Sequence, residues 1–563
     1  MDSIINVFIY EVKGPTKNLN TNDYLYDKYT FNNLSLKNSK NSNNTLIVPR
    51  ELKEKGNNNS NKTKLFSKNI IKNKEDSNNE NKSKLNLKNN LPFLYEIYRS
   101  LPARINIFEI LNLNIDIKKE LKDNIYNKLK DLIEQNTNIF KNYLIKNSAY
   151  KTDNQLESLK NNSEIIYNLY ENDESNIIVM GDNHGSFHSF FRIILRLYLK
   201  GIITSNYKLK ENYKLILLGD LIDRGNYGIE LIYILLNLMI NNNTDDNLNV
   251  ILIRGNHEVQ EQYFRNGFRL ELKTKFKNNS DTINKLIVKF FKYCPSAIIL
   301  NHLEIRYWLC HGGFPIKCNN KKINWSRSPN STNIKPNTKD NCESIYKKIS
   351  DIEYNKNKNK NKNLIYINNI DNIYNSSEIR WNDFNGKNET DLSDRDGRKG
   401  IYHVIGNKDL FNFLEYLNIN IIIRGHTDNV SNAMILANFA RNGIDQRFFI
   451  LNDKELIKYY NIFSRFHNSD LHVFNYKNKK NKLKCDNEIV TIIPEKFKKK
   501  SIEIQYITLF PVLTISNNCD IGRSQYSDSF IIISSKEKEN SQKSFNNNSI
   551  YSNNNNNNQW LAN

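Results

Sequence analysis

The sequence predicts a layered α/β fold. Oily runs alternate with amphipathic helical stretches, the pattern of strands and helices packed in layers. The runs are continuously apolar rather than alternating, as expected of strands covered on both faces. Each of the main runs also stops in Gly, Asp, Asn or His, at the strand ends where open α/β sheets bind their ligands.

Residues 1–90 are polar and low in complexity, and are expected to be disordered. Residues 91–170 read as a helical lead-in, because Leu121, Ile125, Leu129 and Ile133 recur every fourth residue. The first loaded strand is "NIIVMGDNHG" (residues 176–185), and "FHSFFRIILRLYLKG" after it is an amphipathic helix closed by Gly201. Then follow "YKLILLGDLIDRG", a helix in "IELIYILLNLMI", the strand "NVILIRGNHE", and two further strands, "YWLCHGG" and "NIIIRGHT". "YITLF" (residues 506–510) is read as the last, less loaded strand. These elements divide the chain into a first catalytic part at 171–316, a low-complexity insertion at 317–375 and a second catalytic part at 376–428. An insertion with apolar patches that suit a local fold spans 429–500, followed by the last catalytic strand within 501–517 and a low-complexity tail at 518–563.

With 563 residues, 39% hydrophobic, and a mean hydropathy of −0.66, much of the chain is not core, so one heavily decorated folded unit is expected. The net charge of +21 invites a nucleic-acid reading. The cations, however, are diluted by asparagine in tracts such as "NKNKNKNKN" (residues 355–363), the texture of solvated filler, and nucleic-acid binding is not expected. Six cysteines form no CxxC pair, so neither a thiolate zinc site nor a disulfide framework is signalled. The start lacks the basic region and cleavage site of a signal peptide, and no run approaches the ~18 apolar residues of a membrane helix. A cytoplasmic or nuclear location is expected.

Five strand ends carry the chemistry: Asp182 and His184, Asp220 and Asp223, Asn256 and His257, His311, and His426. Carboxylate, imidazole and amide oxygen without thiolate suit Mn, Fe or Zn. Two such ions held roughly 3.5–4 Å apart can share a carboxylate and clamp a phosphoryl group. Four of the nine histidines lie at these ends, more than scatter explains; His188, His302, His403, His467 and His472 are assigned no site role. Glu258 is read as a carboxylate favouring a helix start.

In order, "GDNHG", "GDLIDRG", "RGNHE", "HGG" and "RGHT" resemble the signature set of the phosphoprotein phosphatase family, metal-dependent serine/threonine phosphatases that include calcineurin. The first three are shared by metallophosphoesterases at large. The text between them narrows the match, including "IRWND" (residues 379–383), which resembles the family's WSD segment. The resemblance covers roughly residues 160–315, 376–430 and 503–515. It implies a layered metallophosphoesterase fold, mixed β-sheets flanked by helices, here with a disordered N-terminal segment and two insertions.

By the same resemblance, Asp182 and His184 hold a first divalent ion, Asp220 bridges to a second, and Asn256, His311 and His426 complete the second site. His257 is implied as general acid, oriented by Asp223, with Arg224 gripping phosphate oxygens and a hydroxide between the two metals attacking directly. The implied activity is hydrolysis of phosphoserine and phosphothreonine in phosphoprotein substrates. The alternatives are a metallophosphoesterase acting on a small phosphate ester or dinucleoside polyphosphate, and a catalytically inactive scaffold. Three departures stand out. The family's second phosphate-gripping arginine falls at Lys399, with Arg398 one step off; its Ser-Ala-Pro-Asn-Tyr loop is replaced by "ITLFPVLTISNN"; and the two insertions are placed to dock regulatory partners near the metal face.

Overall fold

The computed structural model describes residues 5–13, 119–160, 163–204, 206–318, 321–326, 342–354, 363–368, 373–395, 400–427, 449–451, 466–467, 473–479, 482–489, 505–508, 511–517 and 527–535. In chain order these begin with β1 (Ile5–Lys13) and the long helix α1 (Lys119–Asn147), followed by β2 (Glu164–Tyr170) and β3 (Asn176–Met180). Next come α2 (Phe187–Leu199), β4 (Tyr213–Leu217), α3 (Gly228–Asn242), β5 (Val250–Leu252), α4 (Gln260–Asn266), α5 (Phe268–Phe276) and α6 (Ser280–Tyr293). The hairpin β6 (Ala297–His302) and β7 (Ile305–Cys310) leads to the short pair β8 (Lys317–Cys318) and β9 (Lys321–Lys322). Then follow α7 (Cys342–Tyr354), β10 (Leu364–Asn368), α8 (Ile373–Trp381), β11 (Asp383–Phe384), β12 (Asp391–Leu392), β13 (His403–Ile405), α9 (Asn407–Tyr416) and β14 (Ile421–Arg424). The last strands are β15 (Phe449–Leu451), β16 (Phe466–His467), β17 (Val473–Lys479), β18 (Lys482–Ile489), β19 (Gln505–Thr508), β20 (Val512–Thr514) and β21 (Ser527–Ser535).

Two six-stranded sheets carry the fold, in the orders β16-β1-β21-β3-β4-β5 and β10-β2-β6-β7-β14-β20. Both are mixed, as expected. In the first, β3, β4 and β5 are parallel while β21 lies antiparallel between β1 and β3; in the second, β14 is parallel to both β7 and β20. The apolar runs fill these strands, and Ile177, Ile178, Val179, Leu215, Ile216, Leu309 and Ile422 are wholly buried. Helices cover them. α1 packs on α3 and α6, and its four-residue spacing puts Ile125, Leu129 and Ile133 into the core. The ends of β3 and β20 meet where Asp182 bridges Ser516 and the Asn517 N–H donates to the Asp182 carbonyl at 2.7 Å.

Several elements lie where the sequence reading had none. "YITLF" falls on β19, which pairs with β15 and β17 in a separate four-stranded sheet; the strand beside β14 is the shorter "VLT" of β20. Nothing local separates two neighbouring apolar runs, and pairing chose the second. The tail assigned to low complexity contains β21, with Phe530, Ile531 and Ile533 fully buried, and the N-terminal polar stretch contains β1. Composition averaged over asparagine-rich surroundings hides single strands of this length. The helical lead-in ends in strand β2. The first insertion supplies α7 and the edge strand β10, and Tyr346 of α7 donates to Glu164 at 3.0 Å. Within the second insertion, β17 and β18 pair with one another. Cys318 is disulfide-bonded, which the cysteine spacing did not signal, while Cys294 and Cys310 are buried thiols. His188, His302 and His403 are buried, and His472 lies outside the described residues. Among the described residues no helix is long and apolar enough to cross a membrane.

Candidate metal centre

The five loaded motifs follow β3, β4, β5, β7 and β14, and their side chains converge. The backbone is bent to deliver them. His184, Asp220, Asp223, Arg224 and His426 all adopt positive φ, between 47° and 72°. Non-glycine residues there are strained, and such strain concentrates at functional sites. Glycine is required where the loops touch: a Cβ on Gly255 would strike the Asp220 carboxylate, and one on Gly425 would strike that of Asp182.

Two groups share one carboxylate. His184, Asp220 and His257 form one, and Asp220, His311 and His426 the other; within each, the ligand atoms lie within 4.8 Å of one another and every residue is buried. Asp220 Oδ2 is 3.1 Å from His311 Nε2 and 3.4 Å from His184 Nε2. Asn256 Oδ1 stands 2.8 Å from His311 Nε2 and 2.9 Å from His426 Nδ1. The backbone reads the arrangement as well, because the His426 N–H donates to Asp182 Oδ1 and the His257 N–H to Asp220 Oδ1, each at 2.9 Å. A buried cluster of hard and borderline donors around a shared carboxylate fits divalent metal ions.

Electrostatics agree with a cation site. Burial alone would raise the Asp220 carboxyl, but the imidazoles of His311, His257 and His184 hold it well below the usual carboxylate range. Burial opposes charge on His311, yet Asp220 and Asp182 raise it above the ordinary histidine value. His426 is pushed well below that value by burial, and further by Arg395, His311 and Arg424. It is a neutral imidazole, as a metal ligand must be.

Beside the cluster, His257 Nδ1 is 2.6 Å from Asp223 Oδ2, and Asp223 Oδ1 accepts the Phe268 N–H at 2.9 Å. Asp223 is thereby fixed by the start of α5 and fixes the ring in turn. Arg224 reaches Nε2 of both His184 (2.9 Å) and His257 (3.3 Å). Asp223 turns to His257 and Arg224 to the cluster.

Two functional residues escaped the sequence reading. Glu258 is no helix-start carboxylate, since α4 begins at Gln260. It is buried, and accepts the N–H groups of Asp220 and Gly255 at Oε2 and of Leu221 at Oε1, all at 2.8 Å. Arg395 lies 2.6 Å from His426 Nε2, with its Nε 3.2 Å from Asp383 Oδ2. Arg398 and Lys399, the positions picked from the sequence, lie outside the described residues.

Residues 175–429 match the calcineurin-like phosphoesterase family. The chain is 32% identical over 145 residues to the PP2A-like serine/threonine-protein phosphatase PPG1 of Candida albicans, covering 26% of this chain and 30% of that one. It is 28% identical over 165 residues to a probable serine/threonine-protein phosphatase of Encephalitozoon cuniculi, covering 28% and 32%. Over this stretch the chain is similar to the calcineurin-like phosphoesterases and, among them, to serine/threonine-protein phosphatases. The alignments span about a third of the length of these curated relatives. Among solved structures, a protein serine/threonine phosphatase from Saccharomyces cerevisiae with similarity to human phosphatase PP5 aligns at 18% identity and a TM-score of 0.34, covering 54% of this chain and 72% of that one.

Proposed function

We propose that the chain is a metal-dependent phosphatase of phosphoserine and phosphothreonine in proteins, with two divalent ions, Mn, Fe or Zn, in the cluster around Asp220. The observation that carries this reading is one buried carboxylate shared by two groups of ligand atoms, with a guanidinium beside them and one member, His257, locked to a second carboxylate. Asp182, His184 and Asp220 would hold one ion, and Asp220, Asn256, His311 and His426 the other. Ions bound there would supply Lewis acidity and lower the pKa of the attacking water.

The chain's own groups divide the remaining work. Arg224 orients the phosphoryl oxygens with its planar fork. Asp223 holds the Nδ1 side of His257, so that Nε2 faces the cluster and donates its proton to the leaving serine or threonine oxygen as the ester P–O bond breaks. Water provides the new P–O bond, and the products are inorganic phosphate and the free hydroxyl. Phosphoprotein substrates and regulatory partners are proposed to dock at the insertions.

The test is phosphate release by the purified manganese-loaded chain from phosphoserine, phosphothreonine and phosphotyrosine peptides and from a dinucleoside polyphosphate. The His257→Ala variant should keep its metal and lose most turnover. Turnover confined to the dinucleoside polyphosphate would replace the protein-phosphatase reading with the small-substrate one. Wild-type turnover in the variant would refute the acid assignment.

A further inference from the structure

We propose that Arg254 and Arg380 together bind a small monovalent anion, chloride, in the interior next to the ligand cluster. The inference goes beyond the phosphatase reading and does not depend on it. Arg254 follows β5, two residues before Asn256, and Arg380 lies in the last turn of α8, directly before Trp381, whose carbonyl is 3.1 Å from His426 Nε2. Both arginines meet the chain just before β6. The Arg254 N–H donates to the Pro295 carbonyl at 2.7 Å, and Arg380 Nη1 reaches the neighbouring Ser296 Oγ at 3.5 Å, a long contact.

Both side chains are charged and enclosed. Arg254 is 2% exposed and Arg380 fully buried, and a guanidinium keeps its proton even there. Nε and Nη1 of Arg254 and Nε and Nη2 of Arg380 have no hydrogen-bond partner among the described residues, and neither side chain forms an ion pair with a described carboxylate. Of the surrounding charges, Arg380 acts most strongly on Arg254, and it repels. The carboxylates that attract the pair are engaged elsewhere: Glu258 accepts three backbone N–H groups, Glu164 accepts the Tyr346 hydroxyl, and Glu261 is exposed.

Charge and hydrogen bonding together select the ligand. Two like charges enclosed without partners are strongly unfavourable unless an opposite charge joins them. A guanidinium has donors only, so the missing group must accept without donating. A water would bring donors of its own and no charge. A phosphate or carboxylate would bring further oxygens that need partners in an enclosed place. A spherical halide accepts N–H groups from any direction, carries one negative charge and has nothing left over to satisfy.

The experiment is urea unfolding of the manganese-loaded full chain in sodium chloride and in sodium isethionate at equal ionic strength, with metal content measured on every sample. Crystals grown in sodium bromide locate the ion by its anomalous scattering. Chloride should stabilise where the bulkier isethionate does not, and each tenfold rise in free chloride above its Kd should add about 1.4 kcal/mol, the tenfold change converted. Arg380→Met and Arg254→Met should each remove that dependence, and the bromide peak should lie between the two guanidiniums. Stability that follows ionic strength but not the identity of the anion would overturn the proposal. A chloride dependence that survives both substitutions would overturn it as well, by placing the ion at another site. If neither variant folds, the wild-type crystal decides, and a water or no density between Arg254 and Arg380 in bromide sinks the proposal. Bromide found there without any chloride dependence in solution would be an adventitious ion only, and would count against it equally.

Discussion

Replacing Glu258 with alanine is expected to destabilise the chain and to loosen its metals together. Three buried backbone N–H groups, those of Asp220, Leu221 and Gly255, end on this one carboxylate at 2.8 Å each. A buried donor left without its acceptor costs about 1–3 kcal/mol, so alanine should cost at least about 3 kcal/mol. Glutamine makes the argument sharper. Oε2 accepts two of the bonds and Oε1 one, so the Gln carbonyl can keep the pair while its NH2 group faces the third donor. That variant should lose about 1–3 kcal/mol. Because two of the three donors lie in the loop that presents Asp220, metal affinity should fall in the same order. Urea unfolding of the three proteins, with and without manganese, measures both effects. An alanine variant with wild-type stability and metal affinity, or a glutamine variant worse than alanine, would refute the claim that the carboxylate holds these loops.

Three further outcomes are expected elsewhere in the fold. Asp528→Ala should cost about 3–5 kcal/mol in urea unfolding, because it takes from the buried Arg192 the carboxylate whose Oδ2 lies 2.5 Å from its Nη2, on the strand that borders β3. Gly425→Ala should lower the metal bound per chain without abolishing the fold, because the new methyl displaces the Asp182 carboxylate; metal analysis of the purified variant decides it. Burial raises the Glu164 carboxyl to about 7, against 4.5 for an ordinary glutamate, with the Tyr346 hydroxyl only partly opposing. A raised folded-state pKa gives stability present below about pH 4.5 and lost as pH climbs through about 7, a loss of about 3 kcal/mol. Glu164→Gln keeps an acceptor for Tyr346 and should therefore gain on wild type between pH 5 and pH 8; parallel unfolding curves at both pH values would count against it.

What was legible in the sequence is what a strand end states locally. Asp182, His184, Asp220, Asn256, His311 and His426 each follow an apolar run within a few residues, so composition and order were enough to bring them to one place. The mixed α/β layering was legible for the same reason. What stayed hidden depends on partners far along the chain. β21 is a short apolar run in asparagine-rich text, and only pairing with β1 and β3 makes it a central strand. The choice between "YITLF" and "VLT" likewise depends on β14, and no property of either run carries that information.

Glu258 and Arg395 belong to this second kind, and their positions explain why a site built from five separate loops holds one geometry. The loops after β3, β4 and β14 are bent at left-handed residues, Asp220 and His426 among them, and a lone strained residue would relax unless its neighbours fixed it. Glu258 ties the Asp220 loop to its own through three N–H bonds, and Asp383 ties Arg395 to Thr427 and so to the His426 loop. These two carboxylates are not in the metal-ligand set, yet Glu258 joins two of the loops that present it and Asp383 braces the His426 loop. Removing either should therefore disturb ligand side chains that it does not itself bond, so metal affinity is a more direct readout of their role than turnover, which many kinds of damage can lower.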